Sequence, residues 1–274
     1  MTFKSILTHA EPVPAAAPRL ATAASLARKW DAVLVGVGAE SFDWAGVSDP
    51  YGVTAGQWLA VVVEQIQADL VAAEKAFLKH ASQVKHEWVS VQESPAHSMA
   101  RISRSVDLIL AGGAPLDDAG VYRTASPADL VMLSGRPVLR APPSGGDLKA
   151  EHIVVAWKDS REARRAVADA MPLLIAAETV VILEVCTEDN LSYAQQHTFD
   201  VARNLIRHGV DARAKTRIAP SDRAVAELNI EAEAIGADLI VSGAYGHNRL
   251  QEMVLGGVTR DLLRHPERFV LLSH

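Results

Sequence analysis

Ala237-Asp-Leu-Ile-Val-Ser-Gly-Ala-Tyr-Gly246 runs, after nine further residues, into Gly256-Gly-Val-Thr259. A short apolar run that passes through spaced glycines into a helical pattern is the sequence form of a backbone cradle for phosphates. Glycine lets main-chain N–H groups approach an anion with no Cβ in the way. The helix that follows aims its first N–H groups and its positive dipole end at the same place. The spacing matches neither the Walker A pattern nor the dinucleotide Gly-x-Gly-x2-Gly, so those two nucleotide folds lose ground. A set of tight turns without a ligand is the competing reading, because glycine is the default turn residue.

Working outward, the same strand signature occurs a second time. Asp107-Leu-Ile-Leu-Ala-Gly112 aligns with Asp238-Leu-Ile-Val-Ser-Gly243. Lys4-Ser-Ile-Leu-Thr-His9 aligns with His152-Ile-Val-Val-Ala-Trp157, and Ala32-Val-Leu-Val-Gly-Val37 with Val180-Val-Ile-Leu-Glu-Val185. Arg136-Pro-Val-Leu139 answers to Arg268-Phe-Val-Leu271. Order is kept, and the offset shifts only around residues 41–57, so the pattern reads as a duplication. Ala141-Pro-Pro-Ser-Gly-Gly-Asp147 separates the halves and reads as a linker, since Pro cannot donate to a sheet and paired Gly resists element interiors. The expected domains are 1–143 and 151–274, each of ordinary single-domain size.

Helical patterns alternate with these strands. Ser160 is placed to cap a helix carrying Ala163, Val167, Ala170 and Leu174 on one face, with Pro172 kinking or ending it. Ser221 is placed to cap another with Val225, Leu228, Ala232 and Ile235 aligned. In the first half Ser94-Pro95 opens the matching helix, and the amphipathic stretch from Trp58 to His80 lies where Tyr193 to His208 lies in the second half. Continuous apolar strands joined by helices imply a parallel sheet covered on both faces, with any ligand at the strand carboxyl ends.

The 274 residues are 49% hydrophobic and 22% charged, the composition of a globular protein. A net charge of -6 supplies no basic stripe for nucleic acid. The lone Cys186 excludes an internal disulfide framework and suits a reducing compartment. No apolar run reaches bilayer length and no signal peptide pattern opens the chain, so the reading is a cytoplasmic protein with no membrane partner. Pairs such as His80 with His86 and His197 with His208 lack zinc-site spacing, so no metal is expected. Trp157-Lys-Asp-Ser160 reads better as a helix cap than as the glycine-preceded loop of ATP pyrophosphatases. Cys186 reads as a packed thiol. Trp44 and Tyr51, in the extra segment, mark a partner surface or anchor that segment.

Gly243-x2-Gly246-x9-Gly256, behind its Asp-Leu-Ile-Val strand, resembles the universal stress protein signature Gly-x2-Gly-x9-Gly-Ser/Thr. The second half fits that family throughout, and the first half resembles it with the signature eroded. The resemblance implies two tandem parallel-sheet α/β domains of the adenine-nucleotide alpha-hydrolase-like, Rossmann-like kind, five strands each, paired through their last strands. It implies ATP or AMP, with magnesium left open, as the cofactor of the second domain and none in the first. It also implies intramolecular pairing of the two domains, with a further homodimer open.

Residue by residue, the resemblance assigns the nucleotide site to Ala156, Lys158, Asp159, Val185, Gly243, Tyr245, Gly246, His247, Gly256, Gly257, Val258 and Thr259. Two positions depart from the family. Gly257 stands where the family has Ser or Thr, which removes one side-chain hydrogen bond to phosphate, worth about 1.5–3 kcal/mol. Lys158 replaces a carboxylate that would face the nucleoside, and either turns outward while Asp159 turns in or contacts phosphate. In the first half, Gly112-Gly113 lacks partners at the right distance; Gly120 and Gly135 do not restore the spacing, and Asp117 and Asp118 would repel phosphate. No nucleophile–base pair or metal cluster supports a reaction, and no catalytic residue is assigned. The expected function is a stress-response regulator acting through conformational or partner changes. A nucleotide-free scaffold with a vestigial loop and a weak ATPase are the alternatives.

Overall fold

The computed structural model describes residues 2–42, 55–112, 122–245, 257–264 and 267–274, excepting the side chains of 55–58 and 264. Gly246, His247 and Gly256 of the expected site lie outside them, as do Trp44, Tyr51, Gly113, Asp117, Asp118 and Gly120. The chain divides into two compact units. One comprises Lys4–Ser134 and Pro143–Gly146; the other comprises Met1–Phe3, Gly135–Pro142 and Asp147–His274.

The unit beginning at Lys4 holds strands β1 (Ser5–His9), β2 (Val33–Ala39), β3 (His86–Val91) and β4 (Leu108–Ala111). Its order is β3-β2-β1-β4 and all pairings are parallel. Helices α1 (Ala17–Trp30) and α2 (Ala55–Ala81) pack together over these strands, and α3 (Pro95–Ile102) rests with α4 (Pro127–Leu133) against β1 and β2. Ile6, Leu7, Leu34, Leu108, Ile109 and Leu110 are fully buried between them. That is the burial expected of continuous apolar strands in a parallel sheet.

The other unit holds β5 (Val138–Arg140), β6 (His152–Ala156), β7 (Thr179–Cys186), β8 (Ala212–Ile218), β9 (Leu239–Gly243) and β10 (Phe269–Ser273). Its order is β5-β10-β9-β6-β7-β8. Only β5 runs antiparallel, with Leu139 opposite Leu271 on β10. Among the described residues each half of the sequence thus contributes five strands, and β5, the last of the first half, is built into the unit formed by the second. Helix α5 (Arg161–Ala176) packs across β9 and β10, and α6 (Leu191–Arg207) packs across β7 and β8. Helix α7 (Ala224–Ile235) packs over β6 and meets α8 (Gly257–Arg264).

The repeated Asp-Leu-Ile signature has one structural task in both units. The Asp107 carboxylate accepts hydrogen bonds from the backbone N–H groups of Lys4 and Ser5, at 2.7 and 3.1 Å. The Asp238 carboxylate accepts from those of Lys149 and Ala150, also at 2.7 and 3.1 Å. Each Asp thereby ties the chain entering the first strand of its repeat to the neighbouring strand. Ionised acceptors make these stronger than neutral hydrogen bonds.

Ser160 caps α5, its Oγ accepting from the Ala163 N–H at 3.2 Å. Two local features differ from the simplest expectation. Pro172 does not end helix α5, which continues to Ala176. Ser221 makes no capping bond, because Ser221–Arg223 forms a 3-10 turn ahead of α7.

Strands β3 and β8 were not legible as apolar runs. Both are edge strands with substantial solvent exposure, and β8 alternates Arg213, Lys215 and Arg217. On β8 the polar residues have partners: Lys215 Nζ donates to Glu231 of α7 at 2.6 Å, and Arg217 donates to Glu231 and Glu227 at 2.9 and 3.0 Å.

Candidate functional site

Parallel register brings the carboxyl ends of β9, β6 and β7 to one level, with Ala156 opposite Ser242 on one side and Leu183 on the other. Lys158 and Asp159 leave β6 at this edge, both exposed, after Trp157, whose N–H bonds the Leu183 carbonyl at 2.9 Å. Val185 and Glu184 end β7 alongside them, half-buried. Asp159 is engaged by an ion pair with Arg164 on the first turns of α5. Burial pushes the Glu184 carboxyl above its usual range, and nearby Asp159 adds to this against the opposing His197 and Lys158. His197 of α6 stands with its Nδ1 3.4 Å from Glu184. Burial, then Glu184, raises the Cys186 thiol, so it stays protonated and packed.

From β9 the chain passes through Gly243 and buried Ala244 to Tyr245, which has a left-handed backbone, φ 61°. A non-glycine residue held there carries strain that its surroundings must impose. Those surroundings are visible: the Ala244 N–H donates to the Ser273 carbonyl at 2.9 Å, and His274 Nδ1 donates to the Ala244 carbonyl at 3.0 Å. The Tyr245 ring meets His274 edge-on, and the Tyr245 backbone nitrogen lies 3.5 Å from Thr259 Oγ1 on α8. Thr259 is buried, Val258 half-buried and Gly257 exposed at the start of that helix. The strand end and the helix start that flank the glycine segment therefore meet.

Gly243 and Gly257 have different reasons to be glycine. A Cβ on Gly243 would lie 2.5 Å from the Ala163 nitrogen and 2.6 Å from the Glu162 carbonyl carbon. The start of α5 thus sits directly on Gly243, and this glycine is required by packing whether or not a ligand binds. A Cβ on Gly257 would meet nothing within 4 Å.

The two helix starts also differ in charge. Glu162 is buried at the start of α5. Burial alone would raise its pKa, but hydrogen bonds with its own N–H and Ser160, and the pair with Arg161, lower it. The α5 terminus is satisfied by its own side chains, whereas no acidic residue stands in the first turn of α8. Of the two helix starts, that of α8 is the one without an acidic side chain, and exposed Lys158 stands at the end of β6.

The corresponding edge of the Lys4–Ser134 unit is filled by side chains. Arg19 of α1 forms an ion pair with Glu11 and donates to the His9 carbonyl at 3.0 Å. His9 Nδ1 lies 3.2 Å from Glu11, and all three residues are buried. Gly112, the counterpart of Gly243, is where Arg19 rests: a Cβ there would lie 2.2 Å from Arg19 Nη1. Burial alone would raise the Glu11 pKa, yet the charges of Arg19 and His9 bring it down to about 2. No sequence pattern announced this cluster, because its members come from β1, the following turn and α1. Among the described residues no group of three or more His, Cys, Asp or Glu could hold a metal ion, and no helix is long and apolar enough to cross a membrane.

Compared with known proteins, residues 149–274 match the universal stress protein family. No curated protein matches by sequence. A universal stress protein from Archaeoglobus fulgidus DSM 4304 is similar in structure, with TM-score 0.69 and 15% identity over 98% of this chain and 97% of that one. A functionally unknown protein from Pseudomonas aeruginosa PAO1 gives 0.58 and 14% over 99% and 92%. A universal stress protein solved in complex with cAMP matches 52% of this chain and 98% of its own, at 16% identity and TM-score 0.33. Residues 149–274 thus match the universal stress protein family, and nearly the whole chain is similar in fold to a universal stress protein.

Proposed function

We propose that the chain is a cytoplasmic stress-response regulator whose 151–274 domain binds ATP or AMP at the carboxyl ends of β6, β7 and β9. The meeting of Tyr245 with Thr259 carries this reading. It gives the segment containing Gly246 and Gly256 a start and a finish at one place, beside the first turn of α8. Helix N–H groups, the Lys158 ammonium and the Val185 wall suit a phosphorylated ligand with an apolar base. The 1–143 domain takes no nucleotide, because Arg19 and Glu11 occupy its equivalent edge. The antiparallel β5–β10 ladder supports pairing of the two halves of the sequence through their last strands. Binding alters assembly or partner choice only to the extent that the ligand prefers one conformation.

The packing requirement at Gly243 favours a second reading, a nucleotide-free scaffold in which the loop glycines are kept for folding. Calorimetric titration of nucleotide-stripped protein with ATP and AMP, with and without magnesium, separates the two. One saturable site per chain that is lost in Gly246→Val supports the regulator. Absence of binding at millimolar nucleotide in folded protein leaves the scaffold, and turnover abolished by the same substitution would make it a weak ATPase.

A further inference from the structure

Helix α2 is amphipathic, yet its solvent side is not uniformly polar. Ile66, Leu70, Ala73 and Phe77 are buried and hold it to the sheet, Phe77 lying over Gly36 and beside the Trp88 ring. At about 100° per residue the opposite side carries Val61, Glu64, Ala68, Val71, Lys75 and Leu78, all exposed. Val61 and Val71 leave 64% and 68% of their surface open, and Leu78 leaves 38%. These positions follow one another in alternating steps of three and four, the heptad spacing of a coiled-coil seam. The seam runs for about five turns.

The residues along this seam are ordered for self-pairing. An antiparallel copy of the helix, related by a two-fold axis at the level of Asp69 and Leu70, sets Ala68 against Val71. The same operation sets Glu64 against Lys75 and Val61 against Leu78, each pair occurring twice. Every apolar residue then meets an apolar residue, and each charge meets its opposite. Among the described residues Glu64 and Lys75 have no hydrogen-bond or ion-pair partner, whereas neighbouring Asp69 is held by Arg123 and Gln65. By contrast, the exposed Phe199 of α6 is covered by Arg203 of its own helix, which also pairs with Asp200. A membrane surface or a partner of one charge sign would answer one of Glu64 and Lys75 and repel the other. A second copy of this chain answers both.

We propose that the exposed face of α2 is a homodimer interface, in which two copies of the chain pair their α2 helices antiparallel across a two-fold axis, independent of the nucleotide site. Such an isologous contact uses one patch twice. A single helix pair is small beside the interfaces of stable complexes, so the dissociation constant should be on the order of micromolar.

The test is sedimentation equilibrium of the whole, nucleotide-stripped chain from low to high micromolar concentration, with circular dichroism to confirm the fold of each variant. Wild type should pass from monomer to dimer across that range. Val71→Lys, beside the axis at a position open enough to leave folding intact, should remain monomeric throughout. Glu64→Lys sets like charges together twice and should weaken the dimer at least about tenfold, since each pair loses an attraction and gains a repulsion. Adding Lys75→Glu to it restores opposite charges at both places and should return the constant to within about threefold of wild type. A wild-type chain that stays monomeric at high micromolar concentration overturns the proposal. A dimer unaffected by Val71→Lys or by Glu64→Lys, or a double variant no tighter than Glu64→Lys alone, overturns it equally.

Discussion

Gly257→Ser should tighten nucleotide binding without a cost in stability. Position 257 opens α8, is exposed, and has no left-handed backbone requirement. A Cβ there meets no heavy atom within 4 Å, so a serine side chain enters open space. Serine is also well accepted at a helix start, so the change in folding free energy should stay within about 0.5 kcal/mol. The added hydroxyl would stand beside the first-turn N–H groups, where the proposed nucleotide places its phosphate. One hydrogen bond to a charged phosphate contributes about 1.5–3 kcal/mol, or roughly ten- to a hundredfold in affinity. Titration of stripped wild type, Gly257→Ser and Gly257→Ala with ATP would measure it. The alanine variant adds the Cβ without the hydroxyl and should bind as wild type does. A folded Gly257→Ser with wild-type affinity would refute the placement of phosphate at the start of α8.

Gly243→Ala should destabilise the protein by about 1–3 kcal/mol, the usual cost of overpacking, since its Cβ would press on the Glu162–Ala163 backbone. Chemical denaturation reads this directly, and unchanged stability would contradict the close approach of α5. Ser160→Ala should cost about 1 kcal/mol by removing the α5 cap, checked by the same measurement. Glu11 supplies a pH signature: with a folded pKa of about 2 against an ordinary 4.5, its contribution is present above that ordinary value and is lost as pH falls toward the folded one. The shift corresponds to on the order of 3 kcal/mol. Glu11→Gln should flatten that acid limb, and an unchanged acid profile would show that the Arg19 pair is not formed. At neutral pH the same substitution should cost roughly 3–5 kcal/mol, because Arg19 is left buried without its counter-charge.

The sequence by itself determined the repeat, the buried strands and the position of the glycine segment. Those features are local: apolar runs such as Leu239–Val241 and Leu108–Leu110 are buried wherever a parallel sheet places them, and glycine spacing is read along the chain. Ser160 was legible as a cap for the same reason, whereas Ser221 was not, since a 3-10 turn and an α-helix begin with similar residues. A charge within the apolar run Val180–Val185 was the one available signal for Glu184. Edge strands β3 and β8 hid because one face of each meets solvent or a charged helix, which breaks the apolar run. Only the tertiary structure decided that β5 joins the unit built from the second half, that Gly243 yields to α5 while Gly257 faces open space, and that Arg19 lies on Gly112. Each of these depends on which distant backbone or side chain occupies a given volume. Local spacing carries no record of that, because close packing is settled between elements rather than within them.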